Sequence, residues 1–143
     1  LDSRPWEEYQ RMSIPGGIDA PGAELVYRVQ DLADADTLVV VNCAGRTRSI
    51  IGAQSLINAG VPNKVMALRN GTMGWTLAGL ACESGKARRA PGVSSDGLAW
   101  AKSAAARVAD RFGITRIDRG TLELGAFRSQ LGVHLGFLGE PGG

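Results

Sequence analysis

The run Leu38-Val39-Val40-Val41-Asn42-Cys43-Ala44-Gly45-Arg46-Thr47-Arg48-Ser49-Ile50-Ile51 constrains this chain more than any other stretch. Four consecutive apolar residues, three of them β-branched, predict a parallel strand buried on both faces, and the residues after Arg48 predict a helix. Cys43 then stands at the carboxyl end of a strand. The peptide N–H groups of Ala44 through Ser49 can curl into a cup whose floor is the positive end of the helix. Such a cup suits an anion, and a thiolate is one.

Magnitudes decide whether the cup matters. A free cysteine of pKa ~8.5 is only slightly ionised at neutral pH, and bringing it to half ionisation takes about 2 kcal/mol. A helix terminus supplies typically ~0.3–1 kcal/mol and more only when partly buried, so the dipole alone falls short. Arg46 and Arg48 add two fixed positive charges within a short loop, and their planar forks suit an anionic substrate. A small buried hydrophobe, the ordinary role of a free cysteine, gains nothing from flanking arginines.

Composition excludes several classes of partner. Sixteen basic and 14 acidic residues give a net charge of +2 with no long run of one sign, which implies neither nucleic acid nor an anionic membrane as a partner. No apolar segment approaches the ~18 residues of a membrane span, and Leu1-Asp2-Ser3-Arg4 does not read as a secretory signal, so a cytoplasmic location is expected. Two cysteines, Cys43 and Cys82, do not suggest a disulfide framework. With one histidine, His134, no metal site built from this chain is expected, and no cofactor is implied.

Alternation along the chain predicts an α/β domain with a parallel sheet flanked by helices. Leu1 to Arg4 reads as the end of a strand whose predecessor is expected upstream, and Pro5 opens a short helix to about Arg11. Ile14-Pro15-Gly16-Gly17 is a turn into a short strand at Ile18-Asp19-Ala20, and Pro21-Gly22 introduces a helix from about Ala23 to Leu32. The helix after the cysteine loop ends near Ala59, with Gly60 as its cap and Pro62 forbidding continuation. Lys64 to Leu68 is the next strand, Gly71 to Trp75 starts a last short helix, and Gly79 to Gly85 closes a unit over residues 1–85.

Residues 86–93 read as a basic, turn-rich linker. Ser94-Ser95-Asp96 then caps a helix whose stripe Leu98, Ala101, Ala105, Val108 and Phe112 must bury against the first unit or a second copy; Gly113 ends it. Ile114, Ile117, Leu122, Leu124 and Phe127 are too few for an independent core, so residues 94–143 read as a helix and the partial start of a further module. Their expected contact is a homodimer partner or a neighbouring module.

Residues 1–85 resemble the rhodanese (sulfurtransferase) domain family. Asp2-Ser3-Arg4 is similar to the family's Asp-x-Arg, Glu8-Tyr9 through Gly17 to its Glu-Tyr…His-Ile-Pro-Gly-Ala segment with Ser13 at the histidine position, and Gly71 to Trp75 to its Gly-Gly…Trp helix. The central loop is the strongest match. The resemblance implies that Cys43 carries persulfide sulfur as the catalytic residue, with Ala44, Gly45, Arg46, Thr47, Arg48 and Ser49 lining the substrate loop. It also implies a place in a tandem rhodanese protein, with small-molecule sulfur donors and acceptors.

Related phosphatases and arsenate reductases of this fold are the alternative, as is a non-catalytic regulatory module. The phosphatases carry Cys-x5-Arg, whereas Cys43 to Arg48 is Cys-x4-Arg, the shorter spacing of sulfurtransferases. The basic pair also resembles loops for thiosulfate more than the Cys-Gly-Ser-Gly loops for mercaptopyruvate. Gly71 and Gly74 lack the spacing of a nucleotide loop. Trp75 and Met73 could line the pocket, though a tryptophan on a short helix is more often core. Cys82 reads as packing or a resolving thiol, and His134 as solvated or subunit packing.

Overall fold

Val39–Val41 forms the central strand, β1, and pairs in parallel with β2, Val65–Ala67, in the register Val39 to Val65 and Val41 to Ala67. The computed structural model describes residues 1–118, so Leu122, Leu124, Phe127 and His134 lie outside the described residues. The other side of β1 is lined by three short extended segments. Asn42 accepts from the N–H of Ser3 and donates its own to Leu1; Asp2 donates to Ile18 and accepts from Ala20; Asp19 donates to Arg88 and accepts from Ala90. Each bridge, Asp2 to Asn42, Asp2 to Asp19 and Asp19 to Arg89, is parallel. The sheet therefore runs through five chain segments, and residues 88–90, within the expected linker, lie along its edge.

Helices cover it as the alternation predicts. The helix α1 is Trp6–Arg11, and α3, Thr47–Ala59, ends on Gly60 at φ 80°, a left-handed cap that glycine adopts without penalty. The helix α4 is Gly71–Leu77. Tyr9, fully buried on α1, stacks against Trp6 and donates its hydroxyl to the Gly17 carbonyl at 2.8 Å, which fixes the Ile14–Gly17 turn. Ala20, Leu25, Val29, Val39, Val41, Ala53 and Leu56 form the core between sheet and helices. Gly52 lets the helix approach closely there: a Cβ on it would lie 2.6 Å from Leu25 Cδ1, which would have to shift.

Three expectations change. The strand through Leu38 is shorter, because Leu38 is half exposed, and Val40 is only partly buried, so β1 is not covered on both faces at its centre. The helix expected over Ala23–Leu32 is broken: 3₁₀ turns at Gly22–Glu24 and Val29–Asp31 flank a single α-turn, α2, at Leu25–Arg28. Val26, Tyr27 and Val29 are indifferent helix formers, so burial of Leu25 and Val29 holds this segment, and its ends tighten.

The third change is the buried face of α5, Ser95–Phe112. It packs on α2 and α3 through Gly97, Ala101, Ala104 and Ala109, whereas Ala105 and Phe112 are exposed. Polar anchors set this face. Asp31 accepts from the Ser94 N–H and hydroxyl at 2.9 and 2.6 Å, and Arg107 donates to the Ala59 carbonyl at 3.2 Å. Ser94 caps the helix by accepting from the Gly97 N–H, as its position predicts.

Candidate active site

Asn42 ends the β1 edge and Cys43 turns the chain into the loop that becomes α3. Cys43 is 2% exposed. Its carbonyl accepts from the Thr72 N–H at 2.9 Å, and that of Ala44 from the Met73 N–H at 3.0 Å, so the first turn of α4 holds the loop from below. Gly71 makes this contact possible: at φ 52°, a Cβ on it would sit 1.9 Å from the Cys43 carbonyl oxygen.

The thiol of Cys43 lies 3.4 Å from the Ser49 hydroxyl, which itself donates to the Arg46 carbonyl at 2.9 Å. Ser49 is fully buried. A thiolate can only accept, so ionisation must turn the Ser49 hydroxyl from the Arg46 carbonyl toward the sulfur. Burial pushes the Cys43 thiol up. The Ser49 hydroxyl, the Ser49 and Gly45 peptide N–H groups and the Arg48 charge push it down and prevail, leaving it below the ordinary thiol value.

The two arginines sit differently from one another. Arg48 makes a forked pair with Glu8, at 2.7 and 2.9 Å, and reaches Cys43 only through its field. Arg46 donates Nε to Asn70 Oδ1 at 2.9 Å, and its terminal nitrogens have no partner among the described residues. Gly45 has open space where a Cβ would be, and Thr47 is exposed as the first residue of α3. The loop thus brings together Cys43, Gly45 and Ser49 around one sulfur, while Arg46, Thr47 and Arg48 stand on its rim.

Glu8, Asn70 and Gly71 are the residues that sequence reasoning passed over as site components. Asn70-Gly71 carried a signal, since that dipeptide marks a turn with left-handed backbone, and Asn70 is indeed at φ 60°. Trp75 is half-buried and donates its indole N–H to the Ala81 carbonyl at 2.9 Å. The sulfur of Cys82 lies 3.8 Å from the Thr76 hydroxyl. Among the described residues no cluster of His, Cys, Asp or Glu could hold a metal, and no helix is long and apolar enough to cross a membrane.

The model of the rhodanese-like domain family matches residues 1–78. A crystal structure of thiosulfate sulfurtransferase from Pseudomonas aeruginosa is 57% identical, with a TM-score of 0.83 over 91% of this chain and 25% of that one. A Rhodanese_3-like domain from an Anabaena sp. protein is 25% identical, with a TM-score of 0.55 over 61% of this chain and 92% of that one. Among curated proteins, an HTH-type transcriptional regulator of Mycobacterium tuberculosis is 36% identical over 85 residues, 59% of this chain and 37% of its own length. The chain therefore spans 25% of the solved sulfurtransferase and 37% of the regulator.

Proposed function

The chain belongs to the rhodanese-like domain family, and from that premise we propose that it is a sulfurtransferase working through a persulfide on Cys43. The observation that carries the proposal is the convergence of the Ser49 hydroxyl and the Gly45 and Ser49 N–H groups on one buried sulfur whose pKa is lowered. The Cys43 thiolate attacks the outer sulfur of thiosulfate or a similar donor. A new S–S bond forms, the donor's S–S bond breaks, and sulfite leaves with the electron pair. Cyanide or a thiolate then attacks the outer sulfur of the persulfide, and the pair returns to Cys43 as thiolate.

The Cys-x4-Arg loop and the 57% identity to a protein called thiosulfate sulfurtransferase support sulfur over phosphorus as the element transferred. The reading places the chain in the cytoplasm, where a reducing milieu keeps both thiols free. Phe112 at the end of α5 and Ile114 and Ile117 after it, all exposed, are the surface through which residues 94–143 would meet a neighbouring module or a second copy. A sulfur-responsive module of a longer chain is the second reading, favoured by the likeness to a transcriptional regulator.

Steady-state kinetics with thiosulfate and cyanide test the proposal. Parallel double-reciprocal lines with stoichiometric sulfite release are expected for the two-step route. Intersecting lines contradict it, and a single stoichiometric release without turnover favours the sensing module.

A further inference from the structure

Beside the Cys43 loop lies a cleft of about 280 Å³ lined by Arg46, Ile50, Ala67, Leu68, Arg69 and Asn70. Its place follows from the chain path. Arg46 belongs to the loop, Ile50 to the first turn of α3, and Asn70 precedes Gly71, whose backbone packs on the Cys43 carbonyl. Ile50, Ala67 and Leu68 give it an apolar surface, and Ile50 is 54% exposed. Among the described residues no acidic side chain lines it. Arg46 keeps its terminal nitrogens open, and Arg69 is exposed without an ion pair or hydrogen-bond partner among the described residues.

Apolar surface under two guanidiniums that pair with no carboxylate among the described residues complements a carbon chain that ends in an anion, because methylenes gain from burial and a carboxylate from a planar fork. An inorganic oxyanion would leave the apolar part unused. The volume falls at the small end for ligand sites, which suits a short flexible molecule.

We propose that this cleft is an acceptor subsite, taking an aliphatic thiol whose chain lies on Ile50, Ala67 and Leu68 and whose terminal carboxylate meets Arg69 and the free nitrogens of Arg46. The inference rests on the sulfurtransferase reading and names the acceptor class for it. The acceptor thiolate attacks the outer sulfur of the Cys43 persulfide. A bond forms between those two sulfurs, the S–S bond to Cys43 breaks, and its electron pair leaves Cys43 as thiolate; any proton on the outer sulfur stays with the product persulfide.

Two measurements on the 143-residue chain test this. In the first, protein loaded with thiosulfate is discharged by mercaptohexanoate, mercaptohexanol or cyanide in single-turnover experiments. The carboxylated thiol should be faster than the alcohol by about tenfold at low concentration, the size of one charge-assisted contact. In Arg69→Ala that advantage should shrink severalfold while loading and discharge by cyanide are unchanged. Equal rates for the two thiols, or an equal slowing of all three acceptors in Arg69→Ala, overturn the proposal.

The second measurement needs no sulfur chemistry. Hexanoate should perturb NMR signals of Ile50 and Leu68 in Cys43→Ser and bind about tenfold more weakly when Arg69→Ala is added. Absence of binding, or binding unaffected by Arg69, overturns the subsite. Arg69-dependent binding in a protein that never gains sulfur keeps the subsite and rejects the transfer reaction.

Discussion

Two polar clusters meet at Asn42-Cys43, and they are built in opposite ways. On one side, the Asp2 carboxylate accepts four hydrogen bonds, from the Arg4 N–H, Arg4 Nε and Nη2 and the Asn42 amide, and Arg4 Nη2 also reaches the Met12 carbonyl at 2.6 Å. Asp2 and Arg4 are both almost wholly buried. On the other side, hydrogen-bond donors converge on a buried Cys43 sulfur, and the nearby arginines are exposed. The first cluster is closed on itself and ties the sheet together. The second is less complete: Arg48 is held by Glu8 at the surface, while the terminal nitrogens of Arg46 have no partner among the described residues beside the proposed nucleophile. A buried charge is therefore read by whether its partners are all present, and the less complete cluster is the one proposed to react.

The sharpest way to break the contrast is to exchange its two costs. Asp2→Ala leaves Arg4 buried without its carboxylate and should remove about 3–5 kcal/mol of stability, read by denaturant unfolding. Cys43→Ser should lower sulfur transfer at least a thousandfold, as loss of a covalent nucleophile does, with unfolding nearly unchanged. A stable Asp2→Ala protein, or a Cys43→Ser protein that still turns over, would erase the distinction. Next come the rim arginines. Arg46→Lys and Arg48→Lys should each reduce kcat/KM for thiosulfate about tenfold to a hundredfold, because lysine cannot reproduce the fork. Full activity in both would make them solvated surface.

Ser49→Ala sharpens the comparison through pH. The hydroxyl lowers the Cys43 thiol, so its removal should raise that pKa and move the rising limb of the pH–rate profile to higher pH. An unmoved limb would show that the peptide N–H groups suffice. The smallest effect belongs to Glu8. Its hydrogen bonds from Arg48 hold its carboxyl below the usual value, so its contribution is present above the unfolded pKa and is lost as pH falls through the folded one. The pair is exposed, so Glu8→Gln should cost under about 1 kcal/mol at neutral pH, seen as a slightly flatter acid unfolding curve.

Much of this was legible in the residues. A β-branched run, a cysteine and a helical pattern are local signals, and so are Gly60 and Ser94 as caps; each appears where propensity and capping chemistry put it. Contacts between distant segments were not legible. The forked pair of Arg48 with Glu8 spans 40 positions, and the anchoring of α5 on Asp31 spans 63, so no periodicity announces either. That anchoring is why Ala104, not Ala105, is buried. The pairing of Asp19 with residues 88–90 rests on backbone groups, which side-chain patterns do not reveal.

The central claim, that the cup makes Cys43 a sulfur carrier, is tested most directly by intact-protein mass spectrometry after brief exposure to thiosulfate. The chain and its Cys82→Ala variant should each gain one sulfur atom, lost again on adding cyanide, and peptide mapping should place it on Cys43. An unchanged mass, or a sulfur on Cys82 that persists in Cys43→Ser, would contradict the account.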